Sequence, residues 1–141
     1  MFQQLAVATA MVVLTVLIHG GGILGLARLM RLEQHEELLT HTSATSPRGI
    51  AITLATVLGL FVLHGVEIWL YASVYLMLHA LPDLHTAVYF STITYSTIGY
   101  DDKGMSPKWE LVAAIEGING VILLGWSTAF FVSMIFRLTR R

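Results

Sequence analysis

The sequence predicts an all-α integral membrane protein with three transmembrane helices and a re-entrant half-helix between the second and third. Of its 141 residues, 55% are hydrophobic and only 12% are charged. Charged side chains are absent from four long runs, residues 1–27, 49–66, 68–82 and 117–136. A spanning helix needs about 20 mostly apolar residues. Since only Glu67 separates the second run from the third, the four runs supply three spans. A soluble domain of this length would keep no water-facing surface.

The chain divides by its apolar runs and by the polar stretches between them. The first run follows MFQQL, which carries no positive charge, so we interpret it as a span and not as a signal peptide. The predicted units are a peripheral transmembrane helix at 1–27, a cytoplasmic linker at 28–49, an outer transmembrane helix at 50–80, a re-entrant region at 81–108, and an inner helix with a short basic tail at 109–141.

Net charge and cysteine content exclude several classes of protein. The formal charge is −1 and there is no cysteine. This excludes a nucleic-acid binder that uses a basic surface, a disulfide-stapled secreted domain and a thiolate metal site.

The basic residues predict the orientation in the cell membrane. Six arginines flank the first connection and the end of the chain, whereas Lys103 and Lys108 lie between spans two and three. Positively charged loops favour the cytoplasm. We therefore expect the N-terminus outside, the 28–49 linker inside, the 81–108 connection outside and the C-terminus in the cytoplasm.

Residues 84–100 (LHTAVYFSTITYSTIGY) form a charge-free run that is too hydroxyl-rich for a lipid-facing span. Asp83 is a typical helix N-cap, and Gly99 ends any helix nearby. A helix over 84–95 would be about 18 Å long, roughly half a membrane. Non-helical backbone at that depth must be buried in protein or line water, where its carbonyls can bind a dehydrated cation.

The residues of this run resemble a known family. Thr97-Ile98-Gly99-Tyr100, preceded by Tyr89-Phe90-Ser91-Thr92, resembles the pore helix and selectivity filter of potassium channels. Asp102, Pro107 and Trp109 follow as in small two-span bacterial channels. The resemblance covers about residues 50–138.

The resemblance implies a homotetramer in membrane lipid that conducts K⁺ passively. The backbone carbonyls of Thr97, Ile98, Gly99 and Tyr100 would line the filter and bind K⁺. Asp101 and Asp102 would form the outer mouth. No enzyme activity, cofactor or nucleic acid is implied. No ligand-binding domain is expected in the same chain, because Arg141 ends it.

Asp101 departs from the family pattern, because it stands where the second filter glycine is usual. Aspartate tolerates the left-handed backbone region better than most residues, so the filter loop could form. The alternatives are a non-selective cation channel and a non-conducting regulatory or structural subunit. A haem protein is disfavoured because His64 and His79 have only His19 as a further membrane histidine. A secondary transporter is disfavoured because three spans hold no inverted repeat.

Polar residues inside the spans are functional candidates, because they are costly in a membrane. His64 and Glu67 share one helix face, as do Glu116 and Asn119, and we interpret all four as structural buttresses of the pore helix. A direct ion-path role for Glu116 is the alternative. His19 is expected to bond a backbone carbonyl.

Glycines and apolar residues give further candidates in the first and last spans. Gly120 is either a gating hinge or a site of close packing, and Ile122 and Ala129 are candidate cavity-lining residues. Gly125 is expected to pack closely. Gly21 and Gly25 have the spacing of a helix-packing face. The linker histidines His35 and His41 belong to a solvated amphipathic helix or to a proton- or metal-sensitive patch.

Overall fold

Four helices account for most of the protein, as a computed structural model shows. It describes residues 1–37, 46–99 and 104–139, with the side chains of 1–29, 46–99 and 104–136. Within these ranges there is no strand. The helices are α1 (Phe2–Glu37), α2 (Pro47–Met77), α3 (Leu84–Tyr95) and α4 (Glu110–Thr139). The predicted all-α fold class is confirmed.

Three helices are long and apolar enough to cross a membrane. Among the described residues, these segments are Phe2–Leu29, Pro47–Met77 and Glu110–Phe136. The helix of the first span continues to Glu37, beyond the apolar run. The protein is therefore a multi-pass membrane protein. The linker histidine His41 and the side chain of His35 lie outside the described residues.

Local sequence signals set both ends of α2. Ser46 is the N-cap, since its hydroxyl accepts a hydrogen bond from the Gly49 N–H, and Pro47 occupies the first turn. At the other end, His79 adopts a left-handed conformation with φ of 52°. Its N–H donates to Leu76, and the Ala80 N–H donates to Tyr75, which completes a Schellman motif. His79 therefore lies just beyond the span and not within it.

The cap on α3 is the one that the sequence predicts. The Asp83 carboxylate accepts hydrogen bonds from the Thr86 N–H at 3.0 Å and from the Thr86 hydroxyl at 2.7 Å. With twelve residues, α3 is about 18 Å long. The structure thus gives the predicted half-length helix, with the bounds 84–95.

The helices pack so that α1 contacts both α2 and α4, while α3 lies against α2 and α4. Around α3, a continuous buried cluster draws large side chains from several helices, including Tyr71, Tyr75, Phe90 and Trp109. The far end of the bundle holds smaller aliphatic clusters, Ile23–Leu60–Leu63 and Ile52–Met134. We call the half that contains α3 the filter half, and the other the opposite half.

The packing glycines of α1 differ from the predicted pair. A Cβ on Gly22 would lie 2.5 Å from the Leu63 side chain, and one on Gly20 would lie 3.2 Å from Trp126. Neither Gly21 nor Gly25 has a described neighbour within 4 Å of such a Cβ. Within one chain, the glycines of α1 that meet α2 and α4 are therefore not the ones with this spacing, because the spacing alone does not fix the rotation of α1 against its neighbours. Packing of Gly21 and Gly25 against another chain stays a prediction.

Candidate functional site

The site is built around the C-terminal end of α3, which stops at mid-depth in the bundle. Its last residue, Tyr95, lies beside His64 and Glu67 near the middle of α2 and beside Gly120 in α4. Its first turn lies near the end of α2. The helix therefore enters the bundle from one end and stops about halfway, which is the arrangement expected for a re-entrant segment.

Gly120 allows this close approach of α4 to α3. A Cβ at residue 120 would lie 2.1 Å from the Tyr95 carbonyl oxygen, far inside contact distance. A Cβ at Gly117 would lie 3.4 Å from the Thr94 carbonyl oxygen. Of the two interpretations of Gly120, close packing thus has a direct structural basis. Gly125, which was expected to pack closely, has no described neighbour within 4 Å of a Cβ.

The backbone after α3 makes an unusual turn, which we call the filter turn (Thr97, Ile98 and Gly99). Thr97 has φ of 60° and Gly99 has φ of 57°, whereas Ile98 keeps a negative φ. The Gly99 N–H donates to the Ile93 carbonyl, which folds the turn under the helix end. A β-branched residue at positive φ is strained, and such strain persists mainly at functional sites.

The predicted filter is described in part. Thr97, Ile98 and Gly99 are exposed in the single chain, and Ile98 has 53% of its surface accessible. Tyr100, Asp101 and Asp102 lie outside the described residues. The binding of K⁺ at these residues and the role of the outer mouth stay predictions.

Behind the filter turn lies a cluster of four polar side chains, His19, His64, Glu67 and Tyr95, which we call the histidine cluster. Glu67 Oε1 lies 2.9 Å from His19 Nδ1, and Glu67 Oε2 lies 3.4 Å from His64 Nδ1. The Tyr95 hydroxyl donates to Glu67 and lies 2.9 Å from His64 Nδ1. His19 and Glu67 are fully buried. The cluster joins α1, α2 and the last residue of α3.

His19 has a different partner from the one that the sequence suggested. Instead of a backbone carbonyl, its Nδ1 contacts the Glu67 carboxylate, and its Nε2 lies 3.2 Å from Ser127 Oγ in α4. The expectation was wrong because the sequence does not show which turn of α2 faces His19. The first span is therefore bonded to the residues that hold the filter turn.

A second polar group lies one turn closer to the N-terminus of α3. The Glu116 carboxylate accepts hydrogen bonds from the Ser91 hydroxyl and from the Tyr75 hydroxyl. The Ser91 hydroxyl also lies 3.0 Å from the Ile68 carbonyl oxygen. Glu116 is fully buried against α2 and α3. Its position is that of a support for α3; its functional role stays a prediction.

Asn119 was predicted to support α3, but its side chain links α4 to α1 and α2. Its amide donates to the Thr15 hydroxyl in α1 at 2.8 Å and to the Tyr71 hydroxyl in α2 at 3.2 Å. Its side-chain oxygen is buried and has no hydrogen-bond partner among the described atoms. The sequence analysis did not single out the hydroxyl residues of these contacts, which are Thr15, Tyr71, Tyr75, Tyr95 and Ser127. Their position within charge-free spans is the signal that could have identified them.

One face of α4 is uncovered in the single chain. Ile122 and Ala129, the predicted cavity residues, both lie on it, with Ile122 59% exposed. The same stripe repeats every three or four residues along the helix and comprises Ile118, Ile122, Gly125, Ala129, Val132 and Phe136. This is the face available to a cavity, to lipid or to another chain.

A comparison with protein families identifies the chain. The family model described as "Ion channel" matches residues 63–137, just over half of the sequence. The protein belongs to this ion channel family. No curated protein matches the chain, and no solved structure does.

The matched region of this ion channel covers most of the site. It contains the histidine cluster residues on α2 and α3, the filter turn, Glu116 and the exposed face of α4. The first span precedes it. Family membership points to a non-enzymatic membrane protein that lets ions cross the bilayer.

Proposed function

We propose that four copies of this chain form a cation channel that prefers K⁺ and conducts it passively through backbone carbonyls. The observation that carries the proposal is the half-length helix α3, which stops at mid-depth and is followed by an exposed turn with alternating signs of φ. Alternating left- and right-handed residues turn successive carbonyls toward one side. A row of such oxygens replaces the hydration shell of a cation.

The end of α3 adds to this preference for cations. The C-terminal end of a helix carries a partial negative charge, which stabilises a cation near it. That end lies at mid-depth, where an ion is furthest from bulk water and the field acts most strongly. The carboxylates of Asp101 and Asp102 at the outer mouth would raise the local cation concentration.

We propose a tetramer because one chain alone cannot enclose an ion path. A single filter turn cannot surround an ion, and here it is exposed together with the apolar stripe of α4. Large exposed apolar surfaces mark sites of association or lipid contact. Four copies around one axis would enclose the turn and cover part of the stripe with Ile122 and Ala129 lining the cavity. Gly120 then contributes chiefly by close packing.

The arrangement in the cell membrane follows the positive-inside rule. The filter half and the N-terminus face outward, and the arginines that flank the spans face the cytoplasm. In this orientation, α3 enters from outside, and its C-terminal end points toward the inner cavity.

Asp101 supplies a second candidate, because it replaces the glycine that usually follows the filter tyrosine. Without that glycine, the outermost carbonyl layer would be distorted. The channel would then conduct Na⁺ as well as K⁺, or the chain would act as a non-conducting subunit.

The test is cation flux from liposomes that contain the purified protein, measured for K⁺ and Na⁺ in wild type and Asp101→Gly. Asp102→Asn serves as the control, since it alters charge at the mouth and keeps the loop backbone. We expect K⁺ flux well above Na⁺ flux in all three proteins. Equal fluxes in wild type, with selectivity restored by Asp101→Gly, would establish the non-selective channel instead. Flux only in Asp101→Gly would indicate a non-conducting subunit.

A further inference from the structure

We propose that His19, His64 and Glu67 bind a divalent transition-metal ion of the zinc class inside the membrane, behind the filter turn. The three side chains come from two helices, and one potential ligand atom from each lies within 4.8 Å of the others. Two imidazoles and one carboxylate are an established ligand set for Zn²⁺. Oxygen-preferring Ca²⁺ and Mg²⁺ do not favour such a set.

Two of the ligand separations are close to those of a four-coordinate ion. Zinc lies about 2.0–2.2 Å from nitrogen and oxygen ligands, so two ligands of a tetrahedral site are about 3.3 Å apart. Here the separations are 2.9 Å between His19 Nδ1 and Glu67 Oε1, and 3.4 Å between His64 Nδ1 and Glu67 Oε2. These two contacts use different oxygens of Glu67, and one ligand atom from each of the three side chains lies within 4.8 Å of the others. To share one ion at a spacing of about 3.3 Å, these side chains would have to move together by up to about 1.5 Å.

Ser127 orients His19 for this role. A metal-bound histidine donates its second ring N–H to an oxygen, which fixes the tautomer. The Ser127 hydroxyl lies 3.2 Å from His19 Nε2, on the opposite side of the ring from Glu67. With the proton on Nε2 and donated to Ser127, Nδ1 presents its lone pair to the ion.

Tyr95 provides the fourth donor. Its hydroxyl contacts both Glu67 and His64, so it lies beside two of the three proposed ligands. A lone pair of the Tyr95 hydroxyl oxygen would complete the four-coordination of the ion, with Glu67 as the anionic ligand.

Binding would act on the filter turn through Tyr95, which ends α3 two residues before Thr97. The ion would replace hydrogen bonds between α1, α2 and α3 by shorter coordinate bonds. This stiffens the support of the filter turn. Only the effect on ion flux rests on the proposed function; the metal site itself stands without it.

The test is titration of the metal-stripped, full-length protein in lipid nanodiscs with Co²⁺, without a histidine tag. Co²⁺ takes the geometry of a zinc site and absorbs visible light strongly only when it is four-coordinate. We expect one strongly coloured Co²⁺ per chain, displaced by Zn²⁺. Absence of coloured binding in wild type would overturn the proposal and leave the cluster as a set of hydrogen bonds.

Variants assign the ion to the cluster. We expect His64→Gln to weaken Co²⁺ binding at least 100-fold, and Ser127→Ala to weaken it about 10-fold by removing the orienting oxygen. His85→Gln is the matched control, because His85 is exposed at the start of α3 and away from the cluster. If His64→Gln fails to fold, the Co²⁺ affinity of Ser127→Ala still shows whether the ion binds at the cluster. Coloured binding that none of the cluster variants changes would overturn the assignment.

Flux measurements then separate the metal site from the channel. We expect micromolar Zn²⁺ to change K⁺ flux in wild type and in His85→Gln but not in His64→Gln. Coloured Co²⁺ binding without any K⁺ flux would support the site and contradict the proposed function. K⁺ flux without coloured Co²⁺ binding would support the proposed function and overturn the metal site.

Discussion

The filter half and the opposite half of the bundle are held together by different kinds of contact. In the filter half, large buried aromatic side chains accompany directional hydrogen bonds that link all four helices through Glu67, Glu116 and Asn119. In the opposite half, α1, α2 and α4 meet through small clusters whose buried members are aliphatic, with Phe130 and Phe131 of α4 packed against them. Hydrogen bonds restrict the relative position of helices more than aliphatic contacts do. We therefore expect the filter half to be the more rigid part and rearrangement to occur in the opposite half.

The largest effect is expected from Gly120→Ala, which tests the closest contact of the filter half. The added Cβ would meet the Tyr95 carbonyl oxygen, a backbone atom that cannot move without α3. Overpacking of this kind costs about 3 kcal/mol. The thermal unfolding midpoint of the purified protein should therefore fall by several degrees.

Gly125→Ala is the matched control on the same helix, since a Cβ there meets no described atom within 4 Å. It should unfold at or slightly above the wild-type temperature. Equal effects of the two substitutions would refute the contact between α3 and α4.

A smaller loss is expected from Glu116→Ala, which removes the acceptor shared by Tyr75 and Ser91. Buried hydroxyls that lose a partner destabilise the fold, here by about 2 kcal/mol in total. Thr128→Ala is the control, because its exposed hydroxyl donates to the Leu124 carbonyl of its own helix. If both variants unfold at the same temperature, the polar contacts do not distinguish the two halves.

Gly22→Ala tests a close contact in the opposite half. The added Cβ would meet the tip of the Leu63 side chain, which can change rotamer. Because alanine also favours the helix, we expect a net change within about 1 kcal/mol. Gly21→Ala, with no described neighbour within 4 Å, is its control. A loss as large as that of Gly120→Ala would show that the opposite half is equally rigid.

The smallest effect concerns the cap of α3. Hydrogen bonds from the Thr86 backbone N–H and side chain lower the pKa of Asp83 below its ordinary value of 3.8. The stabilisation is therefore present above the unfolded pKa and is lost as pH falls through the lower folded value.

Unfolding temperatures measured between pH 6 and pH 3 check this prediction for wild type and Asp83→Ser. Serine keeps an uncharged cap, so its variant should lack this component of the pH dependence. Parallel curves for the two proteins would contradict the assignment.

More of the fold than of the site could be predicted from the sequence. Charge-free runs gave the three spans, and Asp83 gave the start of α3, because both signals are local. Side-chain contacts between helices were harder to predict. Glu67 was recognised together with His64, yet its contacts with His19 and Tyr95 depend on how α1 and α3 rotate against α2. Those rotations are set by packing, for example by Gly22 against Leu63, and a single sequence does not specify them.

The conformation of Thr97 shows the same limit. Threonine rarely adopts a positive φ, so its local preference argues against the observed turn. Hydrogen bonds at the end of α3 impose that conformation. Asn119 was placed behind the filter from its spacing to Glu116, whereas its amide reaches Thr15 and Tyr71.

The substitution Gly99→Ala shows whether ions pass along the filter turn. Gly99 has φ of 57°, and no described atom lies within 4 Å of a Cβ there, so alanine changes the preferred backbone conformation without a clash among the described residues. K⁺ flux from liposomes is compared for wild type, Gly99→Ala and the control Gly21→Ala. We expect K⁺ flux in wild type and in Gly21→Ala, and its loss in Gly99→Ala protein that still assembles. Undiminished K⁺ flux in Gly99→Ala would contradict this ion path.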